Sequence, residues 1–411
     1  MALDEKEISK QFSNKKIIIP ILFGLTVSAL LLYYNLSDVR FEPITAATVD
    51  SAQTYQWVDA NGNGVVDLTH ENEFVPSPDG DYIRITYKEI LKEIHWTTYT
   101  IFWIILAWSM MLLRDVMYMY RIRALTDKEL TWRQSFNVVM VWEFASSLTP
   151  GVVGGAALAM FILNREKIAL GKATALVMIT TMFDNLFFLL AIPTVYILVG
   201  QSTFFPPLEG KEIFGIHFGV EGLFWLAYGI VLFFFLFLFT GLIIKPQVVK
   251  KSLLFVFSLP ILRKLKHKAE KTGNEIELAS QALHGKPFSY WYKPFIATAI
   301  AWTGRFMVIN FIIQGFVELQ LADHFKLYAR ELGMWILMLI SPTPGGSGVA
   351  EYTFTVFLGE FIPLGTAVVF AVLWRLLSYY PYLFIGSIVL PRWLNKTSKY
   401  SSIEEHSNLT E

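Results

Sequence analysis

This sequence predicts an all-α integral membrane protein. About six transmembrane helices and two oppositely oriented re-entrant helical hairpins form an inverted repeat, with a small external loop domain. Three observations predict this. Of 411 residues, 54% are hydrophobic and 17% charged, below the roughly 25% charge of a soluble domain. Several apolar runs reach the ~20 residues that cross a bilayer. One helix-breaking motif is written twice inside apolar sequence. Thr149–Ala156 reads TPGxxGxA, and so does Thr343–Ala350.

Residues 1–16 are polar, with Lys10, Lys15 and Lys16 beside the first span. Residues 17–35 read as a retained anchor, because the apolar run exceeds a signal-peptide core. Residues 36–95 form an external loop with eleven Asp/Glu against four Lys/Arg. The membrane domain then covers 96–393. Its second span runs over Thr97–Tyr120, and a basic loop with Arg121, Arg123, Lys128 and Arg133 follows. The first hairpin lies near 136–163 and the second near 331–361. Between them come a span at 173–200 holding Asp184, an aromatic span at 220–244, a basic loop at 245–293 and a span at 294–317. The last span covers 365–390, and 394–411 is a polar tail.

Lys and Arg beside a span mark the cytoplasmic side. The N-terminus, the loop after Tyr120, the 245–293 loop and the tail all carry that mark. The acidic loop marks the outside. These marks agree only if the first hairpin enters from and returns to the cytoplasm, and the second does the same from outside. The sequence therefore predicts a multi-pass protein of a bacterial-type cytoplasmic membrane, with both termini inside.

Proline removes a backbone donor, and glycine in a helix interior costs about 1 kcal/mol relative to alanine. At membrane depth such a break survives only where protein or water surrounds it. The helix that starts after each break turns free N–H groups and its positive dipole end inward, which favours an anion. Paired broken helices also build midplane sites in transporters. Thr149, Pro150, Gly151 and Gly154, with Thr343, Pro344, Gly345, Gly346 and Gly348, are thus candidate phosphate- or carboxylate-binding residues. The alternative is a pair of elbows that only permit tight packing.

Ionisable residues at membrane depth are functional candidates by default. They are Glu143, Asp184, Arg305, Glu351 and Arg375; the alternative role is structural ion pairing between helices. Asp184 and Glu351 could also titrate if buried.

The second motif, Pro342–Glu351, followed by Leu373-Trp374-Arg375-Leu376 and Tyr379-Tyr380, resembles the lysylphosphatidylglycerol synthetase transmembrane-region family, also called flippase-like. The first motif with Asp184 is similar to that family's first signature. The resemblance covers most of 97–393. It departs at Gly155, where the family carries an acidic residue, and at Thr181, where it carries an arginine. It implies a lipid-handling membrane module without the soluble aminoacyl-transferase domain of larger relatives.

In the external loop, Asp59, Asn61, Asn63, Val65 and Asp67 fall at the ligand positions of a calcium loop, with Glu71 one residue beyond the usual last ligand. Ca²⁺ bound there would stiffen the loop; an Asn-Gly turn is the alternative. The run Arg263–Lys268 reads first as a topology signal and second as an anionic-lipid contact. Nothing supports nucleic-acid binding. The chain has no cysteine, no dense His/Asp/Glu cluster and no nucleotide loop, so no catalytic constellation is evident and no cofactor besides Ca²⁺ is expected. A lipid transporter or flippase for an anionic phospholipid or lipid-linked headgroup is the leading expectation. A headgroup-modifying membrane enzyme, or an accessory subunit of a lipid or cell-envelope synthase, is the alternative. Anionic membrane lipids are the expected partners, with self-association or a separate synthase open.

Overall fold

The computed structural model describes residues 39–44, 53–60, 62, 66, 71–86, 96–148, 151–206, 220–258, 266–339, 349–363 and 367–408. The predicted anchor at 17–35 and most of the calcium loop lie outside them. So do Thr149, Pro150, all of 340–348 and the side chain of Glu351.

The segment before residue 96 carries a four-stranded antiparallel sheet in the order β1-β4-β2-β3, built from β1 (Val39–Pro43), β2 (Thr54–Trp57), β3 (Phe74–Pro76) and β4 (Tyr82–Thr86). The register puts Phe41 and Phe74 on one face of the sheet with Tyr55 and Tyr82, and Ile83, paired with Glu42 and Thr54, on the other; Phe41, Phe74 and Ile83 are all buried. The Phe41 and Phe74 rings stack with centroids 4.0 Å apart. Gly62, inside the predicted calcium loop, has φ 72°, a turn conformation that glycine adopts at no steric cost. Glu71, the last predicted calcium ligand, forms an ion pair with Arg84 at 2.7 Å.

After residue 96 the described residues are mainly helical. Thr97 opens α1 (Thr98–Leu125), its hydroxyl accepting from the Thr100 N–H. Twenty-eight residues make a helix of about 42 Å, longer than the ~30 Å hydrocarbon layer. The predicted boundary at Tyr120 is therefore not a helix end. Arg121, expected in a loop, lies inside α1 and is buried.

Two shorter helices, α2 (Trp132–Leu148) and α3 (Gly151–Arg165), flank the first motif. Then come α4 (Leu170–Val199) and α5 (Val220–Phe239), the latter closed by a π-helical turn at Thr240–Ile244. The expected basic loop folds as a helix pair, α6 (Pro246–Val256) and α7 (Lys266–Leu283), joined by Lys250–Glu277 at 2.8 Å. Next is α8 (Phe288–Gln314), packed along α1. The second motif lies between α9 (Leu321–Leu339) and α10 (Val349–Leu358). α9 starts ten residues before the apolar stretch that begins at Glu331. The chain closes with α11 (Ala367–Ser378) and α12 (Tyr380–Asn408).

Among the described residues, five helical stretches are long and apolar enough to cross a membrane: Thr98–Leu125, Gly171–Val199, Glu221–Ile244, Phe288–Gln314 and Val369–Leu394. They match the five predicted spans after the anchor. The last is interrupted at Tyr379, two residues before Pro381, which has no N–H to continue the helix.

α12 crosses α2 closely at Gly386, where an added Cβ would fall on the buried side chain of Phe144. Gly386→Val should therefore cost about 3 kcal/mol, the upper range for overpacking, because backbone rather than a flexible tip has to move. Denaturant unfolding in detergent micelles measures it.

Outside the spans, Asp127 in the turn after α1 receives Lys172 of α4 at 2.9 Å and Lys286 before α8 at 2.7 Å. Partial burial alone would raise its carboxyl. The two ammonium groups win and hold it below the usual aspartate range. A carboxyl lowered on folding stabilises above its unfolded value, about 3.9, and loses that contribution as pH falls through the folded value. The site is half exposed, so Asp127→Asn should cost less than about 1 kcal/mol, and only above that pH. Asparagine also tolerates the local φ of 54°. Unfolding midpoints of both proteins against pH check the sign.

Candidate functional site: a charged cluster inside the helix bundle

α1 presents Arg114, Asp115, Tyr118 and Arg121 to the bundle interior. The separations of four and three residues put Arg114, Tyr118 and Arg121 on one helix face. Arg114 is 1% exposed. Its guanidinium donates to Glu143 of α2 at 2.6 Å and to Asp115 at 2.9 Å. Asp115 also accepts from the Tyr382 hydroxyl of α12 at 2.8 and 3.0 Å. Arg121 donates to Asp184 of α4 at 2.7 Å and to Thr298 of α8 at 3.1 Å. Asp184 accepts a second hydrogen bond from the Trp302 indole at 3.0 Å. The Tyr118 ring lies between the two guanidiniums, 4.6 Å from Arg114 Cζ and 4.4 Å from Arg121 Cζ, a cation–π arrangement with a cation on each side.

Arg305 of α8 completes the cluster differently. Its guanidinium stacks on Trp335 of α9 at 4.3 Å and lies 5.6 Å from Trp302. Glu143 and Arg114 are within electrostatic reach. No carboxylate among the described residues contacts it, and its buried Nε has no hydrogen-bond partner there. Arginine presents five donors in a fixed fork suited to carboxylate or phosphate. The aromatic walls leave that fork available.

The kink at Tyr379 joins the last span to the first motif. The Tyr379 hydroxyl donates to the Ser147 carbonyl of α2 at 3.1 Å. The Arg375 guanidinium stacks on the Tyr379 ring at 4.7 Å. Among the described residues, α3 runs from Gly151 and α10 from Val349, both inside the motifs.

The structure thus gathers three residues singled out from sequence, Glu143, Asp184 and Arg305, into one cluster, and links Arg375 to the end of α2. Arg121, supplied from α1, pairs with Asp184 of α4. Arg114 and Asp115 were missed, although a charged pair in Leu113-Arg114-Asp115-Val116 interrupts an apolar span. Tyr118, Tyr382, Trp302 and Trp335 carried no sequence signal beyond aromatic richness.

Crossing helices, paired short helices around each motif and a buried charged layer define a polytopic α-helical membrane protein. The chain belongs to the lysylphosphatidylglycerol synthase transmembrane-region family, whose sequence profile matches residues 86–386. It is similar to a UPF0104 membrane protein of Archaeoglobus fulgidus, 24% identical over 297 residues that cover 70% of this chain and 81% of that protein. No solved structure matches the chain.

Proposed function

We propose that the protein is a lipid transporter that takes the anionic headgroup of a phospholipid or lipid-linked precursor at Arg305 and passes it between leaflets. The observation that carries this reading is the Arg305 fork. Each of the cluster's three carboxylates is held by Arg114 or Arg121, while Arg305 keeps its donors for a group the chain does not supply among the described residues. The helix starts that the sequence places at the two motifs would favour the same ligand class, because a helix N-terminus favours negative charge. The family's name refers to a phospholipid synthase, which supports a lipid over a soluble anion. In this reading the protein sits in a cytoplasmic membrane with both termini on the cytoplasmic side, and Arg375 and Glu351 flank the headgroup path.

The test is transfer in liposomes containing the purified protein. Fluorescent phosphatidylglycerol, a polyprenyl phosphate and phosphatidylcholine are compared by quenching the outer leaflet. Faster exchange of an anionic probe than of phosphatidylcholine is expected. Folded protein that accelerates no anionic lipid removes the transport reading.

A further inference from the structure

The charged cluster does not use the most enclosed carboxylate of the second half. Glu331, ten residues into α9, is 1% exposed. Among the described residues it accepts one hydrogen bond, from Asn310 Nδ2 of α8 at 3.0 Å. The other end of that amide, Oδ1, lies 3.1 Å from His324 Nδ1, near the start of α9 beside the exposed Gln320 and Lys326. One fully buried asparagine therefore bridges a half-buried imidazole and a buried carboxyl.

No described cation contacts Glu331. On its own helix, Arg330 turns to Glu360 at 2.8 Å, and Tyr328 lies 3.4 Å from Thr303. On α8, Arg305 is stacked on Trp335. On α4, Asp184 is held by Arg121. On α5, Glu221 accepts from Gln201 at the exposed helix start. α10 brings Glu351, whose side chain lies outside the described residues, and the exposed Tyr352. An isolated carboxylate in such surroundings carries a desolvation cost of several kcal/mol, and one amide donor offsets only part of it. A bound proton removes the charge without any change in packing.

We propose that Glu331 is a proton-binding site reached from the His324 end of α9, and that its occupancy governs headgroup release at Arg305. The link is local. Trp335 lies one helical turn beyond Glu331 on the same face and supplies the ring that covers Arg305. Ionised Glu331 accepts the Asn310 hydrogen bond more strongly than protonated Glu331, so the proton changes the α8–α9 contact through Asn310. The proton comes from solvent at the His324 end of α9 and returns there, while the Asn310 amide only orients the two groups, so the cycle needs no other reactant. The second half of the proposal rests on the transport reading; the proton site does not.

Infrared difference spectroscopy of the full-length protein in phosphatidylglycerol vesicles tests the site directly. Wild type should show a protonated-carboxyl C=O band that titrates with pH, lost in Glu331→Gln and displaced in frequency in Glu331→Asp. His324→Gln should shift its titration. A wild-type protein without such a band, or a band unchanged in Glu331→Gln and Glu331→Asp, overturns the proposal. In the transfer assay, Glu331→Gln should move phosphatidylglycerol with the pH dependence lost, and a wild-type pH profile in that variant overturns the coupling. A titrating Glu331 band in a protein that moves no lipid supports the proton site while sinking the transport reading, so the two failures are separable.

Discussion

Replacing Arg114 by alanine is expected to destabilise the protein by about 3–5 kcal/mol, the range for removing one partner of a buried ion pair. Three effects combine. Asp115 and Glu143 lose their shared cation, and both lie inside the bundle, with 17% and 24% of their side-chain surface exposed. The Tyr118 and Tyr382 rings lose the guanidinium between them. The arginine stem also leaves a void where packing was complete. Asp115 keeps the Tyr382 hydroxyl, so Glu143 is the group stranded most severely. Adding Glu143→Gln to Arg114→Ala should therefore recover about 1–2 kcal/mol, because a neutral amide needs no counter-charge. Unfolding of the two single variants and the double variant in detergent closes the cycle. Additive losses would show that Arg114 acts through packing alone.

The sequence made the membrane class and the helical spans after residue 96 legible, because each rests on local chemistry. Charge in an apolar run is costly wherever it falls, and so Glu143, Asp184 and Arg305 stood out. Pairing is not local. Arg114 and Glu143 are 29 residues apart and Arg121 and Asp184 are 63 apart, and no single-helix pattern says which acid meets which base. Arg121 was misplaced for a physical reason. A basic residue near the end of an apolar run serves equally as a topology signal and as a buried partner, and only the length of α1 separates the two. The four-residue step from Arg114 to Tyr118 and the three-residue step to Arg121 were the usable clue. Glu331 was hidden by an opposite accident: a polar first half of α9, Leu321–Arg330, made it look like the mouth of the hairpin when it lies in the middle of that arm.

Arg305 separates stability from function in a way that Arg114 does not. No described carboxylate contacts Arg305, so Arg305→Ala strands no partner and should shift unfolding by only about 1 kcal/mol, through lost stacking on Trp335. If the guanidinium takes the headgroup, the same change removes one side of a charge-assisted, desolvated contact. Such truncations cost about 2–5 kcal/mol, or roughly 30-fold and more in binding. Transfer of anionic probes should fall by at least that factor, while any background exchange of phosphatidylcholine stays unchanged. Arg305→Lys keeps the charge but loses the planar fork and its fit between two indoles, so it should retain charge selectivity with weakened affinity. Trp335→Leu is the complementary change: the guanidinium remains, its platform is gone, and partial loss is expected. The opposite pattern, a large stability loss in Arg305→Ala with transfer intact per folded molecule, would assign Arg305 to scaffolding and move the headgroup site to the two motifs.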